Sequence, residues 1–97
     1  MRVKKKGYVY FIKCRDKIKI GYSTNVEKRI KQLSVGNGEK LELIYKIQSD
    51  RYLETILHKK YRNYHISGEW FEAEPIIRMI KQQKRNIREQ KKLGLIK

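Results

Sequence analysis

Tyr8, Tyr10, Lys19 and Gly21 stand at a spacing that a β-hairpin would gather into one cluster. Gly7-Tyr-Val-Tyr-Phe-Ile-Lys-Cys14 is rich in aromatic and β-branched residues, and Lys17-Ile-Lys-Ile-Gly-Tyr22 alternates basic with apolar ones, so both read as strands. With Arg15-Asp16 as a two-residue loop, Cys14 pairs with Lys17, Ile12 with Lys19 and Tyr10 with Gly21. Side chains directly opposite one another share a face. One face then carries Val9, Phe11, Ile18 and Ile20, a set fit for a core. The other carries Tyr8, Tyr10, Lys19 and Gly21. Gly21 leaves space above the Tyr10 ring, and a phenol, an ammonium and a gap together can receive a phosphate. The same residues also suit an ordinary amphipathic hairpin whose tyrosines pack beneath a helix.

A second feature lies further along the chain. Glu54 and His58 are four residues apart, so on a helix they share a face beside the apolar stripe Leu53, Ile56, Leu57 and Tyr61. A carboxylate there can hold a hard divalent cation such as Mg²⁺, which takes one protein carboxylate together with waters and substrate phosphates. The plain alternative is a surface Glu–His pair. Arg29, at the edge of the stripe Val26, Ile30 and Leu33, points either to the hairpin's polar face or to solvent. Cys14, His58 and His65 are the soft ligands available, too few for a closed structural zinc site.

The elements that must position these groups follow from the same pattern. After the hairpin, Thr24 or Asn25 caps a helix from about Val26 to Val35, which Gly36-Asn-Gly38 ends. Leu41 to Ile47 reads as a short third strand. Asp50 caps a helix over Arg51 to Tyr64, residues 65–69 form a loop, and Trp70-Phe71 returns the chain to the core. Pro75 suits the first turn of a last helix running beyond Gln90. The order β-β-α-β-α-α predicts an α+β domain with a small three-stranded antiparallel sheet flanked by helices. The expected organisation is a basic arm over 1–6, a folded domain over 7–77 and a basic helix or tail over 78–97.

Charge indicates the partner. The 97 residues carry a net charge of +15. Residues 1–35 contribute +9 and residues 78–97 contribute +7, whereas residues 36–77 sum to −1. Two basic ends around a neutral middle are most simply explained by a polyanion, and nucleic acid is favoured over an anionic membrane surface. Lys4, Lys5 and Lys6 in the arm, with Lys84, Arg85, Arg88, Lys91 and Lys92 in the last helix, are the candidate phosphate contacts. Such charge supplies affinity rather than sequence specificity. The longest apolar run, Tyr8 to Ile12, is far short of the roughly 20 residues of a membrane span. A single cysteine leaves no internal disulfide, and neither a long apolar stretch nor a cleavage site follows the basic start, so an intracellular, membrane-free setting is expected.

With these residues in view, the chain resembles the GIY-YIG endonuclease superfamily. Tyr8-Val9-Tyr10 lines up with the family's Gly-Ile-Tyr and Lys19-Ile20-Gly21 with its Tyr-Ile-Gly; the helix arginine falls on Arg29 and the metal-binding glutamate on Glu54. Gly68-Glu-Trp-Phe71 looks like a branch found in phages, large viruses and some bacteria, in which Lys-Ile-Gly commonly replaces Tyr-Ile-Gly. The resemblance runs from about Gly7 to Phe71. It implies hydrolysis of DNA phosphodiester bonds, in duplex or branched DNA, with one Mg²⁺ or Mn²⁺. In that scheme Tyr10 is the general base or part of a relay, and its phenol, with a free pKa of about 10, needs the help of Lys19. Arg29 would stabilise the pentacovalent transition state, and Glu54 would hold the metal. Tyr8, Tyr22 and His58 are candidate second-tier helpers.

Four positions depart from the family pattern. Tyr8 replaces the first glycine and Lys19 the second tyrosine. Leu33 stands where many members have a histidine, and the closing asparagine has no match unless Asn63 or Glu69 supplies it. These departures frame the alternative, a catalytically weak or inactive DNA-binding module on the same fold. An RNA-associated basic protein would account for the charge but not for the order of Tyr10, Arg29 and Glu54. The oligomeric state has no signature in the sequence.

Overall fold

The computed structural model describes residues 6–34, 38 and 40–94. Lys4, Lys5 and the helix end expected over 35–37 lie outside them. The hairpin forms in the expected register: β1 (Gly7–Cys14) and β2 (Lys17–Ser23) are antiparallel, with Cys14 opposite Lys17, Ile12 opposite Lys19 and Tyr10 opposite Gly21. Arg15 takes a positive φ of 57° in the turn, which lets the strands close without the usual glycine. On its other side β1 pairs antiparallel with β3 (Glu42–Ser49), through a register shift between Phe11 and Ile12.

The sheet has five strands, not the three expected. Beside β2 lies β5 (Trp70–Glu72), and beyond it β4 (His65–Ser67), giving the order β3-β1-β2-β5-β4 with every neighbouring pair antiparallel. Three residues are too few to show a period-two pattern, so His65–Ser67 read as loop. What makes β5 a strand is its partner: Lys17, Ile18 and Lys19 face Glu72, Phe71 and Trp70. Phe71, 1% exposed, anchors the strand, since burying such a ring contributes roughly 1.5–3 kcal/mol.

Helices cover both faces of the sheet. α1 (Val26–Ser34) starts where Asn25 Oδ1 accepts the Lys28 N–H at 3.1 Å, and it packs Val26, Ile30 and Leu33 over Tyr10 and Ile12. The opposite face, with Val9, Phe11, Ile18, Ile20 and Phe71, lies under α2 (Tyr52–Lys60) and α3 (Ala73–Lys92). Asp50 Oδ1 accepts the Tyr52 N–H at 3.0 Å at the start of α2. α2 is shorter than expected, because a 3-10 turn over Arg62–Tyr64 takes its last part, and Ile56 of the expected stripe is exposed. α3 contributes Ala73, Ile76 and Ile80 to the core; from Lys81 to Gly94 every residue is exposed. Among the described residues no helix is long and apolar enough to cross a membrane.

Candidate active site

β5 is short, and this shortness makes the site. Its last pair with β2 is Trp70 with Lys19, after which the Ile20 N–H donates to Glu69 O at 3.0 Å and β2 runs on past β5. The Ile20 carbonyl is satisfied by a side chain instead of a strand: His58 Nε2 donates to it at 2.9 Å. A carbonyl only accepts, so Nε2 carries the hydrogen. The ring stands edge-on to Phe71 with centroids 5.0 Å apart.

Around this edge the fold gathers Lys19, Glu54, His58 and Glu69. Lys19 is 9% exposed, and an ammonium so far from water needs a partner. Glu69 Oε2 supplies it at 2.8 Å, with the Trp70 ring centroid 5.6 Å from Nζ. The carboxyls of Glu69 and Glu54 are within hydrogen-bond reach of each other, and His58 Nε2 lies 3.8 Å from Glu54 Oε1. Burial, then the hydrogen bond and negative charge of Glu69, pushes Glu54 above the ordinary carboxylate range, against the pull of His58 and Arg51. Burial also works to raise Glu69, but hydrogen bonds from Lys19 and Glu54 and the charges of Lys19 and His58 outweigh it and hold Glu69 below that range. The environment therefore drives the two carboxyls apart: Glu54 is the one that keeps a proton more readily, and Glu69 is the settled anion.

Tyr10 reaches the same stretch of β2 from the α1 side. A Cβ at position 21 would collide with the Tyr10 hydroxyl, so the phenol lies across the glycine backbone. The gap expected above the ring is thus occupied by the phenol itself. Tyr10 is 1% exposed and packs with Ile12 and Val26, leaving at most its hydroxyl tip for a substrate. Tyr22 makes the matching contact on the other face, its hydroxyl where a Cβ of Gly7 would be, with the Arg51 guanidinium 5.3 Å from its ring centroid. Tyr8 lies apart from the Lys19 cluster, with Lys46 Nζ 4.8 Å from its ring.

Arg29 is not drawn into the cluster. It is exposed on α1, on the Tyr10 side of the sheet, and its guanidinium donates to Gln32 Oε1 of the same helix at 3.4 Å. Leu33 packs into the α1 core. Glu69 is the residue that sequence reasoning placed only as a stand-in for a missing asparagine. Its signal, a glutamate entering a strand beside a buried lysine, needs the β2–β5 pairing, which the sequence alone does not display.

Among the described residues no three His, Cys, Asp or Glu side chains form a metal-enclosing group. A cation held at Glu54 would fill its other positions with waters and substrate oxygens, the mode Mg²⁺ favours.

The cations that could meet a polyanion lie elsewhere. Lys84, Arg85, Arg88, Lys91 and Lys92 are exposed on the part of α3 beyond the core, and Lys84 Nζ lies 4.8 Å from the Tyr45 ring centroid on β3. Under the hairpin turn, a cleft of about 450 Å³ is lined by Lys13, Arg15, Arg78 and Lys81, with Asp16 and Glu74 among them.

Comparison with known proteins gives one family. The T5orf172 domain matches residues 7–90, which spans all five strands and nearly all of α3. Searches of the curated proteins and of the solved structures find no match.

Proposed function

The chain belongs to the T5orf172 domain family, a phage-associated family related to the GIY-YIG nuclease-like fold and found in nuclease-like and DNA-binding proteins, and from that premise we propose that it is a small metal-dependent DNA endonuclease. The observation that carries this reading is the convergence of Lys19, Glu54, His58 and Glu69 at the β2 edge. Such a set can bring an ammonium and a carboxylate to one phosphodiester.

In the reaction so read, Lys19 draws in the scissile phosphate, and Tyr10 accepts a proton from the attacking water. Glu54 would hold Mg²⁺ or Mn²⁺, which when bound supplies neutralisation of the phosphate charge and of the leaving oxygen. His58, tied to Ile20 O, stands within reach of the Glu54 carboxyl and disfavours its protonation. Arg29 serves from the α1 surface only if its side chain leaves Gln32 when DNA arrives. The exposed cations of α3 supply phosphate contacts of no sequence preference.

The second reading is a binding module without catalysis. Arg29 bonded within its own helix and Leu33 in the α1 core favour it. Nicking of supercoiled plasmid by wild type and Glu54→Ala, with Mg²⁺, Mn²⁺ or EDTA, separates the two. Metal-dependent nicking absent from the variant is the expected result. A gel shift without nicking would favour the module, and equal nicking by both proteins would remove Glu54 from the chemistry.

A further inference from the structure

Glu69 has more structure devoted to holding it than any other charged group of the β2 edge. The turn before it passes through Gly68 at φ 53°, a left-handed conformation that favours glycine. His65 Nε2 donates to the Gly68 carbonyl at 2.8 Å and braces that turn. Glu69 O then accepts the Ile20 N–H at 3.0 Å, and the next residue, Trp70, is in register with Lys19. The backbone of Glu69 is thereby fixed to the strand that carries its partner.

We propose that Glu69 is a positioning residue for the Lys19 ammonium: its carboxylate, fixed by the Gly68 turn and the β2–β5 pairing, holds Nζ at the β2 edge where a phosphate arrives. The inference rests on the nuclease reading above. A lysine side chain has four rotatable bonds, and holding it in one geometry costs rotamer freedom. The Glu69 carboxylate at 2.8 Å and the Trp70 ring confine Lys19 before the substrate binds. Glu69 also places a carboxylate against a cation that is 9% exposed. Because the same carboxylate stands against Glu54, one group holds the ammonium and the proposed metal ligand in fixed relation.

A double-mutant cycle tests this. Wild type, Glu69→Gln, Lys19→Met and the double variant are assayed for plasmid nicking in Mg²⁺, with kcat and KM separated and melting curves taken on each. Glu69→Gln is expected to lower kcat by about 10²-fold with KM nearly constant, and to cost little once Lys19 is methionine, because residues acting through one another are not additive. Glu69→Asp, which keeps the charge, should recover part of the rate, and it carries the cycle if Glu69→Gln melts below the assay temperature. Additive losses, a loss confined to KM, or an unchanged kcat in Glu69→Gln overturns the proposal while leaving the nuclease reading intact. Absence of nicking by the wild type removes that reading, and the proposal falls with it.

Discussion

The β2 edge and the outer half of α3 carry ionisable groups arranged on opposite plans. At the edge every charge faces another group: Lys19 meets Glu69, Glu69 meets Glu54, and Glu54 has His58 beside it. On α3 the cations from Lys84 to Lys92 are exposed, with the single acid Glu89 among them. Low exposure at the edge makes interactions strong and geometry exacting, which is what a reacting phosphate requires. Exposure along α3 makes each interaction weak and tolerant, which is what tracking a phosphate backbone requires. On the proposed nuclease reading the molecule separates chemistry from affinity, and variants in the two regions should fail differently.

The largest effect is expected at the edge. Glu54→Ala should lower plasmid nicking by about 10³-fold, the scale of removing a charge-stabilising metal ligand worth several kcal/mol, with DNA affinity in a gel shift unchanged. A parallel loss of affinity would blur the division between regions. Gly21→Ala comes next. The new methyl group must displace the Tyr10 hydroxyl, so nicking should drop by about 10²-fold and stability by about 1–3 kcal/mol, read from melting curves. Normal nicking by this variant would take Tyr10 out of the mechanism.

Replacing Lys84, Arg85, Arg88, Lys91 and Lys92 with Gln should act on affinity alone. The slope of log affinity against log salt should flatten by about 0.9 for each DNA phosphate that the protein no longer neutralises, with the rate at saturating DNA within about twofold of wild type. An unchanged slope would mean that this surface does not meet DNA.

The smallest effects are on stability, and they should differ in sign between the two glutamates. Glu54 is raised in the fold, so its stabilising contribution is present below the ordinary carboxylate pKa and is lost as pH rises through its raised value. At neutral pH the ionised group is a net cost, and Glu54→Gln should raise the melting temperature. Glu69 is lowered, so its contribution is present above the ordinary pKa and is lost as pH falls through its lowered value. Glu69→Gln should therefore lower the melting temperature at neutral pH. The change should be smaller, since that side chain is 39% exposed and solvent screens it. The same sign from both glutamine variants would contradict the division of charge between the two carboxyls.

The hairpin, its register and its two faces were legible in the sequence because they follow from local rules: a two-residue turn and strict alternation define which residues are opposed. The cap at Asn25 and the long last helix were legible for the same reason, whereas the α2 N-cap is Arg51 and Asp50, one residue before it, accepts the Tyr52 N–H. Tyr10 and Gly21 were correctly placed opposite one another, but not the phenol lying across the glycine. Alternation assigns a face, whereas the rotamer that fills the space is chosen by α1 packing over that face.

The sequence by itself determined the basic ends, the amphipathic hairpin, the helix that carries Glu54 and His58, and the family pattern along the chain. Only the tertiary structure decided that β4 and β5 join the sheet, that β5 stops at Trp70, and that Glu69 thereby meets Lys19 and Glu54. It also decided that Arg29 stays on the α1 surface. The physical reason is the range of the forces involved. Periodicity, turn chemistry and caps act over a few residues, while β5 exists through hydrogen bonds to a strand about 50 positions earlier and through the burial of Phe71 against it, as expected of non-local pairing.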